Sequence, residues 1–118
     1  MKLIFTLLFA FLLLVGCSKE SNDNKQICNL ADPLNELAWL KEIKNSLTNC
    51  SCQISILQAT YDGQTVFYTA MTDPLCDGVQ TYTLYNCDGK VVEVIPSDKV
   101  QAFQTKVTDV KNLYGCKN

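Results

Sequence analysis

The sequence predicts an α+β domain in which an antiparallel four-stranded sheet, made of two hairpins, packs with an N-terminal and a C-terminal helix. The middle of the chain is rich in β-branched and aromatic residues and contains two Asp-Gly turns, which predicts the sheet. A segment of helical periodicity lies on each side of it, which predicts the helices. An even number of cysteines remains once one is assigned to a lipid, which predicts disulfide bonds.

Residues 1–16 have the composition of a signal peptide. Lys2 forms a short positive region, and the thirteen residues Leu3–Val15 are apolar except for Thr6. A membrane-spanning helix needs about 20 apolar residues, so this run is too short to cross a bilayer. The run also lacks the amphipathic period of a helix buried in a soluble domain. A cleaved export signal is therefore predicted.

The signal ends at the tetrad Leu14-Val15-Gly16-Cys17, which resembles the lipobox of bacterial lipoproteins. In that family the cysteine thiol receives a diacylglycerol, and the signal is cut before it. The resemblance implies that Cys17 becomes the first residue of the mature chain and that the protein binds the membrane through its lipid. Two or three acyl chains hold a protein firmly, whereas one anchors it only marginally.

Residues 17–31 are predicted to be the lipid anchor and a flexible tether. Ser18–Gln26 has no apolar residue and mixes both charge signs, so it cannot bury enough surface to offset its ordering entropy. Ser18 after the cysteine resembles lipoproteins sent to the outer membrane. Lys19-Glu20 is similar to the short charged surface-export signals of Bacteroidetes lipoproteins. Residues 32–118 then form a single small domain.

The composition of the mature chain excludes several classes of function. Its side chains carry a net charge of about −3, and the chain has no arginine, so no nucleic-acid partner is expected. It has no histidine either, which removes the usual zinc ligand, the usual general base at neutral pH and every imidazole triad. We expect no enzymatic activity, no metal and no cofactor. Any protein or small-molecule partner is unknown.

The N-terminal helix of the domain is predicted over 33–48. Asp32 serves as N-cap and Pro33 takes the first helical position. Trp39 is interpreted as a core residue at the edge of the apolar face; the alternative is an exposed binding anchor. The apolar face comprises Leu34, Leu37, Leu40, Ile43 and Leu47.

Two Asp-Gly turns predict the sheet. Asp62-Gly63 predicts a two-residue type I′ hairpin that pairs Tyr61 with Gln64 and Leu57 with Tyr68. Asp88-Gly89 predicts a second hairpin with strands over 79–87 and 90–95. The four strands are expected to form a meander.

The C-terminal helix is predicted to begin at Ser97, its N-cap, and to end near Gly115. The 3-4-3-4 spacing of its apolar residues gives one face that packs on the sheet. A coiled coil is disfavoured because there are only two heptads. The apolar residues are Val100, Phe103, Val107, Val110 and Tyr114.

Six cysteines are available for disulfide bonds, and geometry narrows their pairing. They are Cys28, Cys50, Cys52, Cys76, Cys87 and Cys116. Cys76 and Cys87 flank one strand and are too far apart to join. The predicted second helix runs back toward the tip of the second hairpin, which favours Cys87–Cys116. Cys76 then pairs with Cys50 or Cys52, and Cys28 with the one that remains. That last bond requires the chain before Pro33 to fold back along the helix; otherwise two thiols stay free, or the meander is wrong.

The segment "NCSCQ" is the one candidate stretch for disulfide exchange or soft-metal binding. It lacks Cys-x-x-Cys spacing and follows a helix C-terminus, so structural disulfides are favoured. Asp73, Asp77 and Asp88 fall in turns, where aspartate supports local hydrogen bonds. The predicted function is a non-enzymatic binding or structural module. The alternatives are a cystatin-like protease inhibitor, and a thiol oxidoreductase that uses Cys50 and Cys52.

Three segments, "LAWLKEIKN", "YDGQTVFYTA" and "CDGVQTYTLYNCDGKVV", resemble small Bacteroidetes lipoprotein domains with no assigned activity. Those domains share a Trp-containing helix, an aromatic strand after a Gly turn and a Leu-Tyr-x-x-x-Gly hairpin. The resemblance covers residues 33–92. Members of the family often continue with a Gly-rich acidic segment, whereas this chain continues with the predicted second helix. The resemblance implies the fold and the envelope location but no biochemical activity.

Overall fold

The computed structural model of the chain describes residues 26–117. These residues form an α+β domain with one antiparallel five-stranded sheet in the order β4-β3-β2-β1-β5. The predicted α+β class, antiparallel sheet and disulfide bonds are confirmed, but the sheet has one strand more than predicted. The predicted signal peptide 1–16, the predicted lipidation site Cys17 and residues 18–25 of the predicted tether lie outside the described residues. In chain order the elements are α1 (Pro33–Glu36), α2 (Ala38–Ser46), β1 (Ile54–Tyr61), β2 (Gln64–Met71), β3 (Tyr82–Tyr85), β4 (Val91–Ile95), a 3₁₀ turn (Ser97–Lys99), α3 (Val100–Lys106) and β5 (Thr108–Cys116).

The first hairpin has the predicted register. Tyr61 pairs with Gln64 and Leu57 with Tyr68. Asp62 and Gly63 both have positive φ, 50° and 74°, which is the type I′ geometry that matches the twist of the flanking strands. The Asp-Gly pair therefore sets the alignment of all eight residues of β1 against β2.

The second hairpin differs from the predicted one. Its strands are Tyr82–Tyr85 and Val91–Ile95, shorter than the predicted 79–87 and 90–95. Gly89 has a φ of 78°, but Asp88 does not have positive φ. The N–H of Asn86 bonds to the carbonyl of Lys90, and the N–H of Gly89 to the carbonyl of Asn86. This is a three-residue loop that ends on a left-handed glycine, so the same dipeptide forms a wider connection here.

The predicted helix 33–48 is two helices. Asp32 is the N-cap and Pro33 the first residue, as predicted. The helix breaks at Leu37, whose φ and ψ of −102° and 107° are extended, and it resumes as α2. Leu37 nevertheless stays on the apolar face, and all five predicted apolar residues of the segment pack into one cluster.

The predicted C-terminal helix is wrong beyond its first half. A 3₁₀ turn and α3 cover only Ser97–Lys106, with Pro96 rather than Ser97 as N-cap. Residues Thr108–Cys116 form β5, which pairs antiparallel with β1 at the edge of the sheet. The predicted apolar face is consequently divided: Phe103 packs on one face of the sheet, Tyr114 on the other, and Val110 is 50% exposed.

The sheet has an apolar core on each face, so the domain has three layers. α1 and α2 cover one face, where Leu40 packs with Ile56 and Phe67. α3 covers the other face, where Phe103 packs with Val66, Tyr68 and five further buried residues. The central strand β2 is the most buried one because both layers meet it.

The end of the predicted tether is attached to the domain. The carbonyl of Gln26 accepts a hydrogen bond from the N–H of Thr65 at 2.8 Å, and the N–H of Cys28 donates to the Thr65 hydroxyl at 3.1 Å. Cys28 is also bonded to Cys87. The chain therefore joins the folded domain at Gln26, ahead of the predicted boundary at residue 32.

Candidate functional site

The two ends of the sheet carry different features, and each is given a name. The turn end contains the 62–63 turn, the 86–90 loop and Thr108. The groove end contains the start of β1 at Ile54 and the end of β5 at Cys116, which pair with each other. The strands separate the two ends by about 23 Å, since a strand rises about 3.3 Å per residue.

Three disulfide bonds join the six cysteines, two at the groove end and one at the turn end. Cys50–Cys116 and Cys52–Cys76 lie at the groove end, with Cα–Cα distances of 5.8 and 6.1 Å. Cys28–Cys87 lies at the turn end, with a Cα–Cα distance of 6.0 Å. Each distance falls in the range that an unstrained backbone allows.

The favoured Cys87–Cys116 bond is wrong, and so is the pairing of Cys28 with Cys50 or Cys52. The prediction placed Cys116 on a helix that returns to the turn end. In the structure α3 runs from the groove end to the turn end. β5 then runs back, so that Cys116 lies at the groove end, where it is bonded to Cys50. Cys76 does pair with one of its two expected partners, Cys52, and the excluded Cys76–Cys87 bond does not form.

The arrangement of "NCSCQ" does not favour redox catalysis. Its two cysteines belong to different disulfides, so neither a free thiol nor a bond between them is present. Cys50 and its partner Cys116 are only 6% and 7% exposed. A thiol oxidoreductase needs an accessible thiolate. Both bonds instead fasten the segments that surround the groove end.

The most exposed apolar side chains of the described residues lie on the loop of residues 72–81, which we name the ridge loop. Leu75 is 91% and Val79 is 87% exposed. The loop is firmly held at both ends. Its first residue, Thr72, donates to the carbonyl of Gln53, and the side-chain amide of Gln80 both accepts from and donates to the backbone of Met71.

Asp73 organises the first turn of the ridge loop. Its carboxylate accepts hydrogen bonds from the N–H of Leu75 at 3.0 Å and of Gln53 at 3.3 Å. Its carbonyl accepts from the N–H of Cys76, with Pro74 at the second position of the turn. The Leu75 bond, then the Gln53 bond, lowers the pKa of the Asp73 carboxyl, and Lys117 lowers it further.

A groove lies on each side of the ridge loop. The first, of about 580 Å³, runs between the loop, residues 46–52 and the last residues of β2. The second has a similar volume and runs between the loop and the 3₁₀–α3 segment. Gly78, Val79 and Gln80 line both grooves. Val79 therefore lies between the two grooves, which are lined by side chains with hydroxyl, amide and carboxylate groups.

Trp39 is a core residue, as predicted, and does not form part of this surface. Its ring packs edge-on against Phe67 with centroids 5.5 Å apart, and it contacts Tyr85 at 5.7 Å. Its indole N–H donates to the carbonyl of Cys87 at 3.0 Å. The side chain thus holds the 86–90 loop against the α1–α2 layer.

The three predicted turn carboxylates are not brought together. Asp73 and Asp77 lie on the ridge loop, while Asp88 lies at the turn end, where its carboxylate accepts from the Gln26 side-chain amide. Within residues 26–117 no three His, Cys, Asp or Glu side chains are grouped to hold a metal ion.

The ridge loop is the surface that sequence reasoning missed. Its signal is present in "TDPLCDGVQT", where Leu75 and Val79 stand among turn-forming residues. The predicted strand over 79–87 included Val79, whereas the observed strand begins at Tyr82 and leaves Val79 in the loop. With the shorter strand, both apolar residues lie outside any regular element, which indicates an exposed apolar site on an anchored loop.

No protein-family profile, curated protein or solved structure matches this chain. The predicted likeness to Bacteroidetes lipoprotein domains therefore remains a sequence prediction. Among the described residues, none of the helices is both long and apolar enough to cross a membrane.

Proposed function

We propose that the chain is a lipid-anchored protein of the bacterial outer membrane that acts as a non-enzymatic binding module, with the ridge loop as its contact surface. Cys17 carries the lipid, and residues 18–25 connect it to the domain. The two exposed apolar side chains of the ridge loop are the single observation that carries the binding role.

Exposed apolar side chains on a rigid loop are typical of a binding surface. The side chains of Leu75 and Val79 do not contribute to a core of the domain, because neither residue belongs to a core cluster. The Cys52–Cys76 bond and the Asp73 turn hold the loop in one conformation, which reduces the entropy lost on binding. Burial of such side chains by a partner contributes roughly 25 cal/mol per Å² of apolar surface.

The fold gives the protease-inhibitor alternative less support. That hypothesis rests on the order of a helix followed by an antiparallel sheet and on exposed turns that a protease could contact. Here helices cover both faces, and the Cys28–Cys87 bond and Trp39 hold the 86–90 turn loop against the domain. The ridge loop is the better contact surface.

Lipidation is tested by Cys17→Ala. We expect an uncut, non-acylated precursor, because the cysteine both accepts the diacylglycerol and defines the cleavage site. The measurement is the intact mass of the protein together with its membrane retention after a carbonate wash. A variant that is processed normally and stays membrane-bound would refute the proposal.

The contact surface is tested by photo-crosslinking in the native envelope. A crosslinking phenylalanine analogue replaces Val79 in one strain and Val110, the half-exposed residue of β5, in the control strain. We expect a discrete covalent adduct from position 79 and none from position 110. No adduct at position 79, or the same adduct from both, counts against the ridge loop as the binding site.

A further inference from the structure

The ridge loop and the start of the described chain lie at opposite ends of the sheet. Gln26 and Cys28 are bonded to Thr65 and Cys87 at the turn end. β2 then runs from Gln64, beside this attachment, to Met71, where the ridge loop begins. The loop is therefore about 23 Å farther along the sheet from the point at which the tether joins the domain.

The length of the segment between Cys17 and Gln26 limits how far the turn end can lie from a lipid on Cys17. Eight residues, 18–25, lie between Cys17 and Gln26 in the sequence, and the nine Cα–Cα steps between those two residues span at most about 32 Å. A lipid on Cys17 would keep the turn end within about 32 Å of the bilayer surface. The groove end, about 23 Å farther along the sheet, is the end that this connection leaves free to extend away from the membrane.

The charged side chains that line the two grooves are acidic. The side chains that line the two grooves include the carboxylates of Asp77 and Asp98 but no lysine. Lys117, whose charge acts on Asp73, and Lys99, the residue after Asp98, lie at the same end but line neither groove. Anionic headgroups would be repelled by the groove carboxylates, whereas a basic segment would be attracted.

The shape of the surface fits an apolar segment that also carries basic groups. Val79 lies between the grooves, so a segment that covers it also extends into the space on either side. Asp77 lies in the first groove and Asp98 in the second. Basic side chains on both sides of the covering apolar residues would therefore meet a carboxylate in each groove.

We propose that the groove end receives an apolar segment of another protein that carries basic side chains, on the side of the domain away from the bilayer that holds Cys17. The inference rests on the proposed function and names the class of its partner. The carboxylates of Asp77 and Asp98 select for basic side chains, and Val79 makes the apolar contact.

The partner class is tested with two amidated peptides, one of alternating Leu and Lys and one of alternating Leu and Glu. The lipidated protein is held in zwitterionic phosphatidylcholine vesicles, and binding is followed by fluorescence anisotropy of the labelled peptide. We expect the Lys peptide to bind and the Glu peptide not to bind. Raising the salt from about 50 to about 500 mM should weaken binding, because exposed charges are screened.

Four variants locate the contact on the surface. Val79→Ser, and Asp77→Asn combined with Asp98→Asn, should each weaken binding by about threefold to tenfold. The controls Val110→Ser and Asp109→Asn, both on β5, should leave binding unchanged. All four should unfold at the wild-type urea midpoint, since the side chains are exposed. Preference for the Glu peptide, or equal losses in the β5 controls, overturns the inference.

The orientation is tested by depth quenching. A fluorescent residue at Lys90, at the turn end, or at Val79 is exposed to vesicles that contain brominated phosphatidylcholine. We expect stronger quenching at position 90, and stronger quenching at position 79 would overturn the orientation.

The outcomes separate this inference from the proposed function. If a partner is captured at Val79 but the domain prefers the Glu peptide, only this inference is wrong. If no partner is captured at Val79, the proposed function is wrong.

Discussion

At the scale of single residues, Gly89 occupies a position at which any side chain is costly, for two separate reasons. Its φ of 78° is in the left-handed region, which costs other residues about 1–2 kcal/mol. A Cβ at this position would also lie 2.8 Å from the Trp39 ring. The indole cannot retreat easily, because it packs on Phe67 and bonds to the Cys87 carbonyl.

Gly89→Ala should therefore destabilise the domain more than Gly63→Ala. Both positions have positive φ, so the Gly63 variant is the matched control for the backbone cost. We expect about 1–2 kcal/mol for Gly63→Ala and a clearly larger loss for Gly89→Ala. Urea unfolding gives both values. Repeating the comparison in a Trp39→Leu background should reduce the difference, and equal losses in the wild-type background would contradict the contact.

Asp73 gives a prediction in pH. The backbone N–H groups of Leu75 and Gln53 lower its pKa in the folded state. A carboxyl with a lowered folded pKa stabilises the fold above its unfolded pKa, near about 3.9, and loses that contribution as the pH falls through its folded pKa. Asp73→Asn should be less stable than wild type at pH 7, and the difference should shrink below about pH 4. Urea midpoints across this range measure it; parallel curves would contradict it.

At the scale of elements, β5 gives the sharpest test of the fold. A helix over residues 97–114 would place Val110 on its apolar face. In the strand Val110 is half exposed, and Leu113 packs against the cluster of Leu40, Ile56 and Phe67. Leu113→Ala should therefore cost about 1–3 kcal/mol, and Val110→Ala no more than about 0.5 kcal/mol. Chemical denaturation measures both. A larger loss for Val110→Ala would favour the helix.

At the scale of the whole molecule, the disulfides supply stability that a core of this size cannot. The Cys28–Cys87, Cys50–Cys116 and Cys52–Cys76 bonds have sequence separations of 59, 66 and 24. Chain-entropy reasoning assigns such loops roughly 3–4 kcal/mol each, against about 5–15 kcal/mol for a typical domain. Full reduction should bring the domain to or below its folding threshold.

The order of reduction is also predicted. Cys50 and Cys116 are both buried, whereas Cys52 and Cys76 are partly exposed, so the Cys50–Cys116 bond should open last. Thiol trapping and mass spectrometry at increasing reductant give the order, and circular dichroism follows the unfolding. An unchanged melting curve in strong reductant would contradict the stabilising role. Early opening of Cys50–Cys116 would contradict its burial.

The sequence alone determined the features that depend on neighbouring residues. Asp62-Gly63 specified a type I′ turn and, through it, the register of β1 and β2. The helical spacing of the segment after Pro33 identified the apolar residues that pack on the sheet, and it placed Trp39 at their edge. Cysteine parity predicted the disulfide bonds. The lipobox prediction also rests on local sequence, at Cys17, outside the described residues.

Only the tertiary structure decided where the C-terminal third lies. Val107, Val110 and Tyr114 fit a helical period, but the free edge of β1, about fifty residues earlier in the chain, offers backbone groups that β5 pairs with. The local spacing of residues shows which of them are apolar, but it does not show which distant strand edge has unpaired backbone N–H and C=O groups. Because β5 runs from the turn end to the groove end, Cys116 lies at the groove end, whereas the predicted helix would have placed it at the turn end. This difference therefore changed the disulfide partners of Cys28 and Cys87, because a disulfide depends on which chain ends meet in space.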